Sequence, residues 1–142
     1  MNLTEHFTLE ELTHTDHREL DNTPNETERA NLARLAQFLE LVKVALGGKP
    51  VMVNSAFRSK AVNDAVGSKD TSQHRVGCAA DLRVPGMTPD QVVRTIIAAN
   101  LPFDQIIREF DAWTHISVSN STALFPRRQA LIIDKAGTRA FA

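Results

Sequence analysis

Five histidines, one cysteine and 17 carboxylates are the groups in this 142-residue chain able to hold a metal or move a proton. One set of them has the spacing of a site. His74 opens the stretch Ser72-Gln73-His74-Arg75-Val76-Gly77-Cys78-Ala79-Ala80-Asp81, which carries a glycine bend between the imidazole and the carboxylate. His115 lies in Trp113-Thr114-His115-Ile116-Ser117, a stretch that reads as a strand able to sit beside that of Asp81. Two imidazoles and a carboxylate on neighbouring strands bind Zn²⁺ at about 2.0 to 2.2 Å and leave the fourth tetrahedral position to water, which is how catalytic zinc is held. Spacing alone leaves a second reading open, since a lone strand histidine is more often a satisfied core or surface residue.

Other metal-capable groups read as structure. Cys78 follows His74 by four, but Gly77 argues against a helix there, and a small buried thiol is expected. His14-Thr15-Asp16-His17 is an exposed pair at the end of a helix, of a kind that usually does nothing. Trp113 is either core or an indole platform flanking the cleft. No Ser-His-Asp arrangement and no phosphate-cradling glycine loop is present.

The elements that must position these residues follow from local signals. Thr8-Leu9-Glu10-Glu11 is a capping box with Phe7 and Leu12 at the staple positions, so a short helix begins there. Thr23-Pro24-Asn25-Glu26 repeats the signal with Thr23 as cap and Pro24 at the first helical position. Leu32, Leu35, Leu39, Val42 and Leu46 then form the stripe of an amphipathic helix of about 20 residues, ended by Gly47-Gly48. A strand is expected over Val51 to Asn54, a short helix capped by Ser59 and closed by Gly67, and a strand over Ala80 to Val84 with Asp81 off one face. Thr88-Pro89-Asp90-Gln91 starts a helix that ends near Asn100. Strands follow at about Asp104 to Glu109, Trp113 to Val118 and Gln129 to Ile133, the first two as an antiparallel hairpin. Helices early and strands late predict an α+β fold, one domain over 1–142, with a mainly antiparallel sheet, helices packed on one side and the zinc site on the sheet.

Composition bounds the function. The chain is 42% hydrophobic and 23% charged, as one globular domain of this length would be. A formal charge of −1 supplies no footprint for nucleic acid or an anionic membrane, and a monomer is expected. One cysteine excludes an internal disulfide framework. The N-terminal Met1-Asn2-Leu3-Thr4-Glu5-His6 has neither a basic nor an apolar region of a leader, so synthesis and retention in the cytosol are expected.

Ser55-Ala56-Phe57-Arg58-Ser59, Asn63, Gly67, Ser72-x-His74-x-x-Gly77-x-Ala79-x-Asp81 and Trp113-x-His115 resemble, in order and spacing, the zinc peptidases of the M15 family. That family includes D-alanyl-D-alanine carboxypeptidases and phage endolysin peptidases that cleave peptidoglycan stem peptides. The likeness is nearest to the compact phage branch and extends to Phe7-Thr8-Leu9-Glu10-Glu11-Leu12 and Asn22-Thr23-Pro24. It implies His74, Asp81 and His115 as Zn²⁺ ligands and Arg58 as an anion clamp. A guanidinium's planar fork suits a terminal carboxylate or a developing oxyanion. The alternative for Arg58 is a surface ion pair with Asp64 or Asp70.

The general base is the point of departure. The best-known branch places its carboxylate three residues before the last histidine, where this chain has Ala112. Glu109 and Asp111 are the candidates, and Glu109 is preferred because it ends an apolar strand and resembles the glutamate before the Trp-x-His strand of the phage branch. Asp111 suits a turn. The resemblance thus implies a zinc-dependent peptidase acting on peptidoglycan stem peptides, with an endolysin endopeptidase expected. In that role it would be stored in the cytosol and act on the wall after release. Catalysis would be by Glu109 and Arg58, with Arg58 and Trp113 at the substrate. The alternatives are a D-alanyl-D-alanine carboxypeptidase and, from another class, a non-catalytic cell-wall-binding or virion module with structural zinc.

Overall fold

The computed structural model describes all 142 residues, Met1–Ala142. Four helices are α1 (Leu9–Leu12), α2 (Glu26–Ala45), α3 (Lys60–Ala65) and α4 (Pro89–Ala98), and a 3-10 turn spans Gln73–Val76. Six strands are β1 (Met52–Ser55), β2 (Ala79–Arg83), β3 (Gln105–Glu109), β4 (Trp113–Ser117), β5 (Gln129–Asp134) and β6 (Gly137–Ala140). They form one sheet in the order β1-β2-β4-β3-β5-β6. Every pairing is antiparallel except β3 with β5. The expected α+β class is met.

The helices start where side chains satisfy their free amides. Thr8 and Glu11, and Thr88 and Gln91, form reciprocal capping boxes, while Ser59 accepts from the Val62 amide. The start of α2 differs from the sequence expectation. Its cap is Asn25, whose side chain accepts from the Glu28 amide while Glu28 reaches back. Thr23 instead turns to Asp21, its hydroxyl donating over 2.6 Å, so Pro24 lies before the helix. The box that closes in both directions wins over the one that cannot.

The stripe Leu32, Leu35, Leu39, Val42 and Leu46 is buried against one face of the sheet, which contributes Ala80, Leu82, Ile106 and Ile116. Phe7 and Leu12 from the α1 segment and Val92, Val93 and Ile96 from α4 complete this core. The opposite sheet face is the one that matters for chemistry. Residues directly opposite in an antiparallel ladder point to the same side. Asp81 faces His115, His115 faces Ile107, and Glu109 faces Trp113, so all five side chains leave the sheet away from the core helices.

Strand β6, for which no expectation was formed, extends the sheet by pairing with β5. Its four residues are all exposed, so it carries no apolar alternation.

Candidate metal centre

Three elements deliver three side chains that could ligate a metal. Asp81 and His115 are register partners on β2 and β4. His74 comes from the 3-10 turn, where the Ser72 hydroxyl accepts from the His74 amide. Gly77 closes that turn at φ +80°, a left-handed conformation that L side chains adopt at a cost. A Cβ there would lie 2.9 Å from the Glu28 carbonyl oxygen and 3.1 Å from Leu32 Cγ. The turn therefore presses on α2, and only glycine permits it.

The result is a buried cluster. His115 Nδ1 lies 3.0 Å and His74 Nε2 3.4 Å from the same oxygen, Asp81 Oδ1. The two rings meet edge to face at 5.1 Å between centroids. One ligand atom from each residue lies within 4.8 Å of the others, and no other group of three or more such residues does so. The tautomer of His74 is fixed by its surroundings: Nδ1 is 2.6 Å from the Ala56 carbonyl oxygen and must donate to it, which leaves the Nε2 lone pair facing Asp81.

Electrostatics prepare the same set for a cation. Burial pushes the His74 imidazole down from its ordinary value, against the raising effect of Asp81, so His74 is held neutral. Burial opposes ionisation of Asp81, but its interactions with His74 and His115 outweigh it and hold the carboxyl well below the usual range. A deprotonated carboxylate and a neutral imidazole are the forms that bind zinc. The donor set fits that metal.

The second oxygen of Asp81 has its own partner. An Arg58 terminal nitrogen donates to Asp81 Oδ2 at 3.3 Å, and Arg58 Nε donates to the Ser55 hydroxyl at 3.2 Å. A register irregularity between Val53 and Ser55 brings Ser55 opposite Asp81. The surface pairing weighed for Arg58 does not occur, because Lys60 takes both acids, Asp64 at 3.1 Å and Asp70 at 3.6 Å. Arg58 is turned inward instead.

The two candidate bases are separated by strand parity. Glu109 shares the face of Asp81 and His115, and it is half-buried. Burial, then the charge of Asp81, raises its pKa, with His115 and Arg58 acting in the opposite sense. Asp111 sits in the β3–β4 turn at φ +50°, exposed, and pairs with Arg108 Nε at 3.1 Å. Arg108 projects from the other face of β3, opposite Thr114. Trp113 is half-buried beside Phe110, at 6.2 Å between rings, and its buried Nε1–H has no partner. Cys78 is buried as expected, 3.6 Å from an Arg34 nitrogen.

One segment set aside in the sequence comes back to this site. His14, Asp16 and His17 line a cleft of about 160 Å³ together with Asn54, Ser55 and Arg58. The hydrogen bond from the Phe57 amide to the Leu12 carbonyl brings this loop to the β1 end. Its imidazoles turn to separate acids, His14 to Asp16 at 3.4 Å and His17 to Glu19 at 3.5 Å, so they do not converge on a metal.

The family model described as peptidase M15 matches residues 5–117 of this chain, a span that holds every residue of the cluster. The chain belongs to the peptidase M15 family. The expected His/Asp/His set lies inside the matched span, and its donors are those a zinc ion takes. The chain is also similar to the zinc D-Ala-D-Ala carboxypeptidase of Streptomyces albus G, with 43% identity over 56 residues. That stretch is 39% of this M15 chain and 22% of the relative, so the chain matches about a fifth of the relative's length. No helix of the M15 chain is long and apolar enough to cross a membrane.

Proposed function

We propose that this protein hydrolyses peptidoglycan stem peptides, with His74, Asp81 and His115 as the zinc ligands, Glu109 as the general base and Arg58 as the anion clamp. The observation that carries this reading is the common face of β2, β4 and β3. It joins a buried His/Asp/His set to a half-buried glutamate of raised pKa and to an inward-turned arginine. A purely structural zinc site needs neither of the last two and usually closes its fourth position with protein, which disfavours the non-catalytic module.

Zinc bound at such a site lowers the pKa of water toward neutrality and polarises a carbonyl. The protein's own groups do the rest. Glu109 takes a proton from the attacking water and returns it to the leaving amine, and its raised pKa suits both transfers. Arg58 keeps one terminal nitrogen outside its bonds to Asp81 and Ser55, and this edge receives the developing oxyanion or a terminal carboxylate. Trp113 flanks the floor of the cleft, two residues from His115 on the same face.

The proposal extends to an endolysin endopeptidase of phage or prophage type, made in the cytosol and acting on the wall after release. The likeness of the Trp113-x-His115 strand and of Glu109 to the compact phage branch supports it. A second reading, trimming of a terminal D-amino acid, is favoured by the name of the Streptomyces relative. Incubating the zinc-loaded protein with stem peptides and weighing the products separates them: an internal cut yields two peptides, a carboxypeptidase releases a single amino acid. Absence of any product at full zinc occupancy would refute both.

A further inference from the structure

The site face of the sheet carries a second guanidinium, which the reaction above does not use. Along β2, Ala80 and Leu82 enter the core, so Asp81 and Arg83 leave the strand on the opposite side together. Arg83 therefore shares the face of Asp81 and His115, two residues or about 7 Å along the strand from Asp81. The ladder that pairs Leu82 with Thr114 runs on to set Arg83 beside Trp113.

The irregular segment of β1 orients both arginines. Ser55 accepts from Arg58 Nε and its neighbour Asn54 accepts from Arg83 Nε, each at 3.2 Å. A guanidinium held at Nε presents its terminal nitrogens as a planar fork suited to a carboxylate. Arg58 gives one of those nitrogens to Asp81, whereas Arg83 is exposed, makes no ion pair and keeps both free. Asp111, which lines a neighbouring cavity together with Arg83, is taken by Arg108 Nε at 3.1 Å. On the far side of Trp113 stands Glu109, so an anion lying over β3 would meet like charge and one lying over β2 meets Arg83.

We infer that Arg83 is a specificity-determining residue that receives a free carboxylate borne on a substrate residue next to the scissile bond. The inference rests on the peptidase reading above for its substrate and deepens it. The group bound differs from the one at Arg58. Arg58 touches Asp81 and so meets the reacting carbonyl or a terminus, whereas Arg83 lies two strand residues further on, where an extended peptide places a neighbouring residue. Stem peptides offer such a group in two places: the α-carboxylate of a second residue linked through its side chain, and the distal carboxylate of a diaminodicarboxylic third residue. Amidation removes either one.

The test measures binding and turnover separately. The zinc-loaded Glu109→Gln protein, with and without Arg83→Gln, is titrated with a stem peptide in which both carboxylates are free and with two versions amidated at one or the other. With Arg83 present, one of the two amidations is expected to weaken binding about threefold to tenfold, the scale of an oriented arginine–carboxylate contact near solvent, and which one it is identifies the source. With Arg83→Gln the free peptide should weaken by a similar factor, and that same amidation should have no further effect. Zinc content should be unchanged, since the Arg83 side chain bonds only to Asn54. Equal affinity for all three peptides with Arg83 present, or an amidation effect that persists in full with Arg83→Gln, would overturn the inference. If the wild type still cleaves all three peptides, the peptidase reading survives that result. Discrimination without cleavage by the wild type would leave the carboxylate contact standing and refute the peptidase reading.

Discussion

Replacing Glu109 by Gln removes a proton acceptor while keeping shape, and the structure sets what should follow. The Glu109 side chain makes no hydrogen bond and is held near Asp81, His115 and Arg58 by strand parity and burial. The amide therefore breaks no structural contact, and stability should change by less than about 1 kcal/mol. Zinc content should stay at one per chain, because none of the three ligating atoms moves. Turnover should fall by about 100-fold to 10,000-fold, or about 3 to 5 kcal/mol of barrier.

The pH profile supplies a second measure. A carboxylate that accepts a proton is active only when ionised, so kcat/KM falls as pH drops through its pKa. Burial and Asp81 raise that pKa, which places the acid limb above the ordinary glutamate value of about 4.3. The limb should disappear in Glu109→Gln. Asp111→Asn is the control, since Asp111 is 69% exposed and pairs with Arg108 on the other side of the sheet. It should keep wild-type turnover. A dead Asp111→Asn beside an active Glu109→Gln, both with full zinc, would show that the face assignment does not locate the base.

Gly77→Ala should lower stability by about 2 to 4 kcal/mol in urea unfolding, because φ +80° disfavours a Cβ and the Glu28 carbonyl lies 2.9 Å from it; zinc affinity should drop with it, as the same turn carries His74. Asp104→Asn should cost about 1 to 3 kcal/mol at neutral pH by weakening the contacts of a buried carboxylate with Arg127 and Gln73. Burial opposes ionisation of Asp104, yet those hydrogen bonds hold its pKa below the usual value. Its contribution is therefore complete above the unfolded pKa of about 3.9 and is lost as pH falls through the folded one, so the gap between wild type and variant should close in acid unfolding curves. Arg58→Ala should weaken zinc binding about 10-fold or more in chelator competition, because Asp81 loses the partner of its second oxygen; unchanged affinity would reduce Arg58 to a substrate contact.

What could be read from the sequence was whatever local chemistry decides. The caps of α1, α3 and α4 and the stripe of α2 depend on residues three or four apart, and they appear where expected. At Thr23 and Asn25 two overlapping signals competed, and only side-chain geometry separates them. Strand β6 was silent because Gly137–Ala140 buries nothing; it is held by the β5 ladder and by the two Arg139 bonds to Asp134, at 2.8 and 2.9 Å. Within the site, the spacing of His74, Asp81 and His115 left two readings open and the resemblance of the surrounding motifs pointed to one of them; the structure brings the three together. The partners of Arg58 were not legible, since they depend on an irregularity in β1 and on pairing across 23 residues. The place of the His14–His17 loop beside Arg58 was not legible for the same reason: it is set by a contact between Leu12 and Phe57, which no local pattern encodes.

Asp81 joins the two halves of this chemistry. Its Oδ1 is the oxygen nearest both imidazoles, and its Oδ2 is the one held by Arg58. A buried carboxylate left alone would neutralise itself by taking up a proton. Here its interactions with the imidazoles keep it ionised, and the guanidinium on the other oxygen fixes its plane, so the cluster is oriented by the fold before any cation enters. In the proposed reaction the same guanidinium clamps a substrate anion, which is then felt by the residue that orients Asp81. Substrate binding and metal geometry would then share one side chain, so changes at Arg58 should alter both together.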